Sequence, residues 1–462
     1  MPPTASTVPS PNCASPPSRR AAVLLTLALL AGIAAYANSF AGAFQFDDFN
    51  VIVNANRVHS LSAWWAATTQ GGLRPLLNLT YALNWLTGGG TPPVFHAFNL
   101  LVHLVTTACV FALARDFVRR HPQAGDADII AGWTALLFAV HPLHTEAVTY
   151  ICGRSTSMMT AFYLGALVCY ARAGEGMLRH RLAAPLLFML AVLTKESSLL
   201  LPLALVLWDW SNREAWRVAL RRQWPFWALA LAALPALALH PGTWALLQGS
   251  LHTRDLAASL PTQLHSSTIL LGKLFWPAGL NIDPDWPTLA GVADALPQLA
   301  LFAGAAVLAI WLRPRRPWWT LGILWLLLHL LLPNVFFPRA DIANERQMVW
   351  AGWPLLLCLV IELRLRARPA VAWTTVLICA LALAWATHLR NADYESEIAL
   401  WLDTARHSPH KARVFNNLGY AYQQAGRDDD ARQAYLKALA LDPDHVKALN
   451  NLERLDAASR QD

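Results

Sequence analysis

The run AAVLLTLALLAGIAAYA (21–37), preceded by Arg19-Arg20 and followed shortly by Phe46-Asp47-Asp48-Phe49-Asn50, decides the fold class of this chain. A run this apolar enters a bilayer core as a helix. Two carboxylates just past its far end are costly to hold beside lipid, so their first reading is functional. A turn or a helix cap is the structural alternative, since Asp and Asn favour both.

Apolar runs recur from there to about His388, and the composition agrees: of 462 residues 55% are hydrophobic and only 14% charged, with a mean hydropathy of +0.34. That makes the chain a polytopic, all-α membrane protein and excludes an ordinary soluble domain. Trp gathers at the ends of the runs, as interfacial anchoring predicts. The formal charge of +7 sits mostly on Arg in short loops, which is a topology signal, so no nucleic-acid partner is expected. Cys109, Cys152, Cys169, Cys358 and Cys379 fall in or beside apolar runs and Cys13 in the tail; without CxxC or close Cys/His spacing they build neither a disulfide framework nor a zinc site. Residues 1–18 are Pro/Ser-rich and read as a disordered tail. The first apolar run reads as an uncleaved span, because many more follow it.

Candidate spans lie near 21–37, 95–114, 128–145, 157–171, 182–194, 197–210, 224–240, 297–312, 318–333, 346–363 and 370–388. Alternate connections are rich in Arg: Arg19 and Arg20; Arg115, Arg119 and Arg120; Arg172, Arg179 and Arg181; Arg213, Arg217, Arg221 and Arg222; Arg313, Arg315 and Arg316; Arg364, Arg366 and Arg368. By the positive-inside rule these are cytoplasmic. The alternation holds only if 262–280 is an interfacial or re-entrant helix, which leaves about eleven crossings and an outer C-terminus. The unusual polar residues then share the outer face: Asp47, Asp48, Arg74, His141, His144, Glu146, Arg154, Lys195, Glu196, His265, Asp283, Arg339, Asp341, Glu345 and Arg346.

After His388 the pattern turns charged and soluble. Phe415, Leu418-Gly419, Tyr422, Gly426, Ala431, Tyr435, Ala438 and Pro443 match a 34-residue tetratricopeptide repeat. Trp401 and Pro409 stand one period before Tyr435 and Pro443, and Asn450-Asn451-Leu452 answers Asn416-Asn417-Leu418. One full repeat with a half on either side is fewer than the three usually needed for independent stability, so the unit is expected to dock on the membrane domain or on a partner. The expected domains are the tail 1–18, a membrane domain 19–389 and a repeat domain 390–462.

His141 and His144, three residues apart, share a helical face with Glu146 close behind. Two His and an acid lack a third firm metal ligand, so no metal site is assigned and a divalent metal is left open as cofactor; capping of a helix end in a wet vestibule is the alternative. Lys195-Glu196 reads either as a neutral hairpin pair or as part of the site. Arg154 and Arg346, cations on the outer face, suit either headgroup anchoring or a lipid phosphate. Together these parts suggest group transfer from a phosphate-linked lipid, whose leaving group needs no strong acid. A carboxylate base and one or two cations at the phosphate suffice, and direct displacement inverts the anomeric centre.

The acid pair, Leu73-Arg74-Pro75-Leu76-Leu77-Asn78-Leu79-Thr80, Ala139-Val140-His141-Pro142-Leu143-His144-Thr145-Glu146-Ala147-Val148 with Gly153-Arg154, Leu193-Thr194-Lys195-Glu196 and Glu345-Arg346, followed by the repeat, resemble the transmembrane and tetratricopeptide-repeat O-mannosyltransferases of the GT-C class. The resemblance covers the chain from about residue 20 and departs at the short repeat array. It implies a GT-C type membrane bundle, a polyprenyl-phosphate sugar donor, mannose as the sugar and a hydroxyl acceptor such as protein Ser/Thr or a glycan. It also implies Asp47 as base, with Asp48 positioning the acceptor or a metal. Arg346, then Arg154 and Lys195, are the expected donor-phosphate residues, with His141, His144, Glu146, Arg74 and Glu345 positioning donor or acceptor. The Ala/Arg/Trp-rich composition suits a bacterial inner-membrane protein with site and repeat on the periplasmic side. A non-catalytic membrane-anchored repeat scaffold is the alternative function; a transporter would show midplane charges and repeat symmetry that the chain lacks.

Overall fold

A computed structural model describes residues 18–173, 178–244, 248, 256–336 and 341–458, and all regular structure among them is helical. Helices start where the sequence supplies caps. Ser18 Oγ accepts from Ala21 N at 3.1 Å to open Arg19–Ala35, and Asp126 accepts from Asp128 N and Ile129 N to open Ala127–Ala139. Ser396 does the same for Glu397–His407.

The expectation of about eleven spans is corrected. Among the described residues five helices are long and apolar enough to cross a membrane: Arg19–Ala41, Pro92–Arg120, Val292–Leu312, Pro317–Val335 and Pro369–Ala392. A sixth is added if Glu345–Ala351 and Trp353–Arg366, bent by 61°, form one broken span. The other apolar runs do form helices, but hydropathy alone overcounts them. Leu201–Ser211 has 11 residues and Ala127–Ala139 has 13, about 16 and 20 Å at 1.5 Å per residue against a hydrocarbon core of about 30 Å. Trp216–Ala238 is longer but carries Arg217, Arg221 and Arg222. The Leu256–Phe275 helix covers most of the 262–280 segment, is not among the span-grade helices and buries Ser259, Thr262, Gln263, Ser266 and Ser267.

The main core joins the Pro92–Arg120, Ala127–Ala139, Arg154–Ala173, Pro317–Phe336 and Trp353–Arg366 helices around Trp133, Trp318, Trp325 and Trp353. Close packing there depends on small residues: a Cβ on Gly322 would lie 2.5 Å from Cys358 Sγ. The repeat forms the hairpin Ala412–Gln424 and Asp428–Leu441, turned at Gly426 (φ +69°). Gly419 lets the Tyr435 ring approach, since a Cβ there would sit 2.7 Å from it.

The repeat docks on the membrane domain. The last long helix, Pro369–Ala392, runs past residue 390 before a short turn leads into Glu397–His407. Tyr150, Ile282, Tyr394, Trp401, Val414 and Leu418 form one apolar cluster across the junction. Residues 1–17 and Arg339 lie outside the described residues.

Candidate active site

Phe46 adopts φ +44°, a left-handed conformation uncommon for a bulky residue. Its N–H donates to Glu397 Oε1 at 2.9 Å and its ring meets Trp401 edge-on with centroids 5.2 Å apart. Of the two acids that follow, Asp48 is enclosed and Asp47 lines a cleft. Asp48 is fully enclosed; Oδ2 accepts from Gln45 N at 2.9 Å and Oδ1 from Cys152 N at 2.8 Å, so it ties the loop after the first long helix to the 150–153 turn. Burial pushes its carboxyl up to about 7 despite those bonds. Asp47 is half-buried, and its N–H donates to the Tyr150 hydroxyl oxygen at 3.1 Å.

Asp47 lines a cleft with Phe46, Glu146, Tyr150, Asn344 and Arg346 on the membrane-domain side, and with Trp401 and Arg413 from the repeat. Ile282, Asp283 and Asp341 complete it, around about 270 Å³ of open space, solvent included. Glu146 orients Arg346: Oε2 accepts from Arg346 N at 2.8 Å and Oε1 lies 3.2 Å from Nη1. Gly153 allows this, because a Cβ there would lie 2.1 Å from the Glu146 carbonyl oxygen. Arg346 Nε and Asn344 Nδ2 are buried donors with no hydrogen-bond acceptor among the described residues. Two idle donors beside a carboxylate are what an incoming oxygen-rich group would need. Burial raises the Asp47 carboxyl above its ordinary range, while Arg346 pulls it back. Burial also raises Glu146 against the pull of Arg346. For Asp341 burial acts upward too, but Arg413, Arg346 and Lys411 together outweigh it and the carboxyl is lowered.

The cleft thus brings together Asp47, Glu146, Asp283, Asp341 and Arg346 of the residues singled out in the sequence. The remaining candidate site residues stand elsewhere. Arg154 is completely buried: its guanidinium lies 4.7 and 4.5 Å from the Tyr81 and Phe98 ring centroids, Nε donates to Asn99 Oδ1 at 2.7 Å and Nη2 to Phe95 O at 3.1 Å. Lys195 Nζ donates to Thr156 Oγ1 at 2.7 Å. His141 bridges Leu274 O (3.1 Å) and Leu143 N (3.3 Å), and His144 bonds Phe138 O at 3.0 Å; both are buried, and the His144 ring packs against Phe138. Arg74, itself at φ +57°, forms a two-pronged pair with Glu196, at 2.5 and 3.1 Å. Burial pushes the Glu196 carboxyl up, but Arg74, a backbone hydrogen bond and Lys195 together pull it down to about 2. Glu345 accepts from Asn281 N at 2.8 Å, with Lys273 Nζ 3.6 Å away. Among the described residues no three His, Cys, Asp or Glu group as metal ligands would, and Glu146 turns to Arg346 rather than to the two His.

Sequence reasoning missed Tyr150, Asn344, Trp401 and Arg413. Tyr150 lies four residues after Glu146, a spacing that could have found it. Nothing in the repeat pattern marks Arg413 as a cleft residue.

The tetratricopeptide repeat family matches residues 412–445. "Protein O-mannosyl-transferase TMTC3" of Mus musculus is 26% identical over 93% of this chain and 52% of its own length. "Protein O-mannosyl-transferase F38B6.6" of Caenorhabditis elegans is 24% identical over 92% of this chain and 63% of its own. "Protein O-mannosyl-transferase TMTC1" of Homo sapiens is 26% identical over 93% and 56%. The chain is similar over most of its length to these protein O-mannosyl-transferases. The likeness to these transferases runs through both the membrane helices and the repeat, in agreement with the resemblance carried by the motifs. The chain spans about half the length of the curated relatives it matches. These relatives are animal proteins and lend no support to a bacterial source. No solved structure matches the chain.

Proposed function

We propose that the cleft around Asp47 and Arg346 transfers a sugar, mannose by analogy with the relatives' names, from a polyprenyl-phosphate donor to a protein hydroxyl. The observation that carries the proposal is the meeting of a half-buried carboxylate of raised pKa with a cation whose Nε is idle, in one cleft of a chain similar to O-mannosyl-transferases. Asp47 takes the proton of the acceptor hydroxyl as its oxygen forms a bond to the anomeric carbon. The bond from that carbon to the phosphate oxygen breaks, and the phosphate leaves with the electron pair, giving inversion. Arg346, held in register by Glu146, and Asn344 stabilise the charge on the departing phosphate. The rest of the proposal is a GT-C type membrane helical bundle whose cleft and docked repeat share the non-cytoplasmic face.

The test is a panel of labelled polyprenyl-phosphate sugars offered with acceptor protein to the purified chain in nanodiscs. Transfer from one of them, lost in Asp47→Asn at equal folded protein, is the expected result. Absence of transfer from every donor under conditions where a relative is active would overturn the proposal.

A further inference from the structure

The repeat does more than rest against the membrane domain. Two of its side chains, Trp401 and Arg413, wall the cleft that holds Asp47. Trp401 is 1% exposed and packs on Phe46, the residue immediately before Asp47. Polar contacts hold this wall in place, and they concentrate between Ser408–Arg413 of the repeat and the 281–285 loop. Ser408 Oγ donates to Asp283 O at 2.9 Å and accepts from Asn281 Nδ2 at 2.6 Å. Lys411 Nζ lies 2.5 Å from Asp283 Oδ1. Arg413 binds both Asp283 oxygens and reaches Asp341 Oδ1 at 2.7 Å.

The space left between these walls would hold little more than a single water molecule. A sugar, its phosphate and an acceptor side chain cannot all reach Asp47 through it as it stands. The repeat is joined to the membrane domain by the short turn that follows the Pro369–Ala392 helix, so it is the side able to yield as a unit. Beside the apolar cluster of Tyr150, Ile282, Trp401 and Val414, its closing contacts include ion pairs with cation side chains 21% and 30% exposed, which water can replace on opening.

We propose that the repeat is the gate of the cleft: Lys411 and Arg413, latched on Asp283 and Asp341, hold Trp401 over Asp47, and reagents gain access to Asp47 only when that latch releases. An acceptor must then pass between Trp401 and the membrane domain, which makes the first repeat helices part of what selects it. The gate stands on contacts alone and does not rest on the transferase reading.

The test uses Asp47→Cys in the full chain in nanodiscs, labelled by a membrane-impermeant maleimide, with the chain lacking that substitution as the background. Adding Arg413→Ala is expected to raise the labelling rate about tenfold, the change in opening equilibrium that about 1.4 kcal/mol produces. Adding Asp341→Asn, which leaves the Asp283–Lys411 pair intact, is expected to raise it less. Rates within twofold of the parent for both variants, with all proteins eluting as folded, overturn the gate. If neither variant can be recovered folded, hydrogen exchange of the native chain decides. Amides of 281–285 and 408–413 exchanging together and faster than the membrane core support the gate; protection equal to the core overturns it.

Discussion

Replacing Glu146 by Gln tests the pair that sets the cleft's cation. The carboxylate lies 3.2 Å from Arg346 Nη1, with side chains 1% and 15% exposed. At an effective dielectric of about 20 the attraction is about 5 kcal/mol. Burial works against it: the Glu146 carboxyl is raised because desolvation outweighs the pull of Arg346. Gln removes that desolvation cost and keeps an oxygen for Arg346 N, but it leaves a nearly buried guanidinium without a counter-charge. A buried cation stripped of its partner typically costs about 3–5 kcal/mol, so the net loss should be about 1–3 kcal/mol once the relief at Glu146 is counted. Arg346→Gln should cost a similar amount, and the double variant less than the sum of the two, because no orphaned charge is left. Thermal unfolding of the four proteins in nanodiscs at one scan rate supplies the cycle. Strict additivity would refute the coupling, and with it the claim that Glu146 holds Arg346 in register.

Three further outcomes follow from the same geometry. Arg346→Gln removes the cation that holds the Asp47 carboxyl down against burial, so the acidic limb of the residual kcat/KM–pH profile should move to higher pH; an unmoved limb would separate Asp47 from Arg346. Asp48, at about 7 in the fold against an ordinary 3.8, binds its proton more tightly folded than unfolded, so its contribution is complete below the unfolded value and lost as pH rises toward 7. Asp48→Asn should flatten the fall in thermal stability between pH 4 and 7 relative to the native chain, at a cost of about 1–3 kcal/mol for a backbone N–H left without its acceptor. Gly153→Ala, whose Cβ would lie 2.1 Å from the Glu146 carbonyl, should destabilise by about 1–3 kcal/mol or more and reduce transfer by displacing Glu146; a native melting profile would contradict the close approach.

Much of the molecule was legible before any coordinates. The apolar runs become helices, the repeat spacing becomes a hairpin whose Gly419 and Tyr435 meet as the pattern requires, and Asp47, Glu146 and Arg346, far apart in sequence, share a cleft. What failed has physical reasons. Hydropathy marks burial without saying whether lipid or protein does the burying, so short internal helices such as Leu201–Ser211 passed as spans. The His141/His144 spacing suits ligation equally well as capping, and the deciding acceptors, Leu274 O and Phe138 O, are backbone atoms that no motif records. Arg154 carries the same charge whether it meets lipid phosphate or a box of Tyr81, Phe95 and Phe98; only packing tells the two apart. Arg413 was invisible because the repeat pattern fixes its own small and large positions and leaves the docking surface unspecified.

The central claim is that Asp47 takes the acceptor's proton in this cleft. Its most direct measurement is the single-turnover rate of labelled sugar transfer to acceptor protein by the native chain and by Asp47→Asn, matched for folded protein and for donor binding. A positioned base is worth about 100-fold or more, so a loss of at least that size with donor affinity retained is the predicted result; a rate within a few fold of native would contradict it.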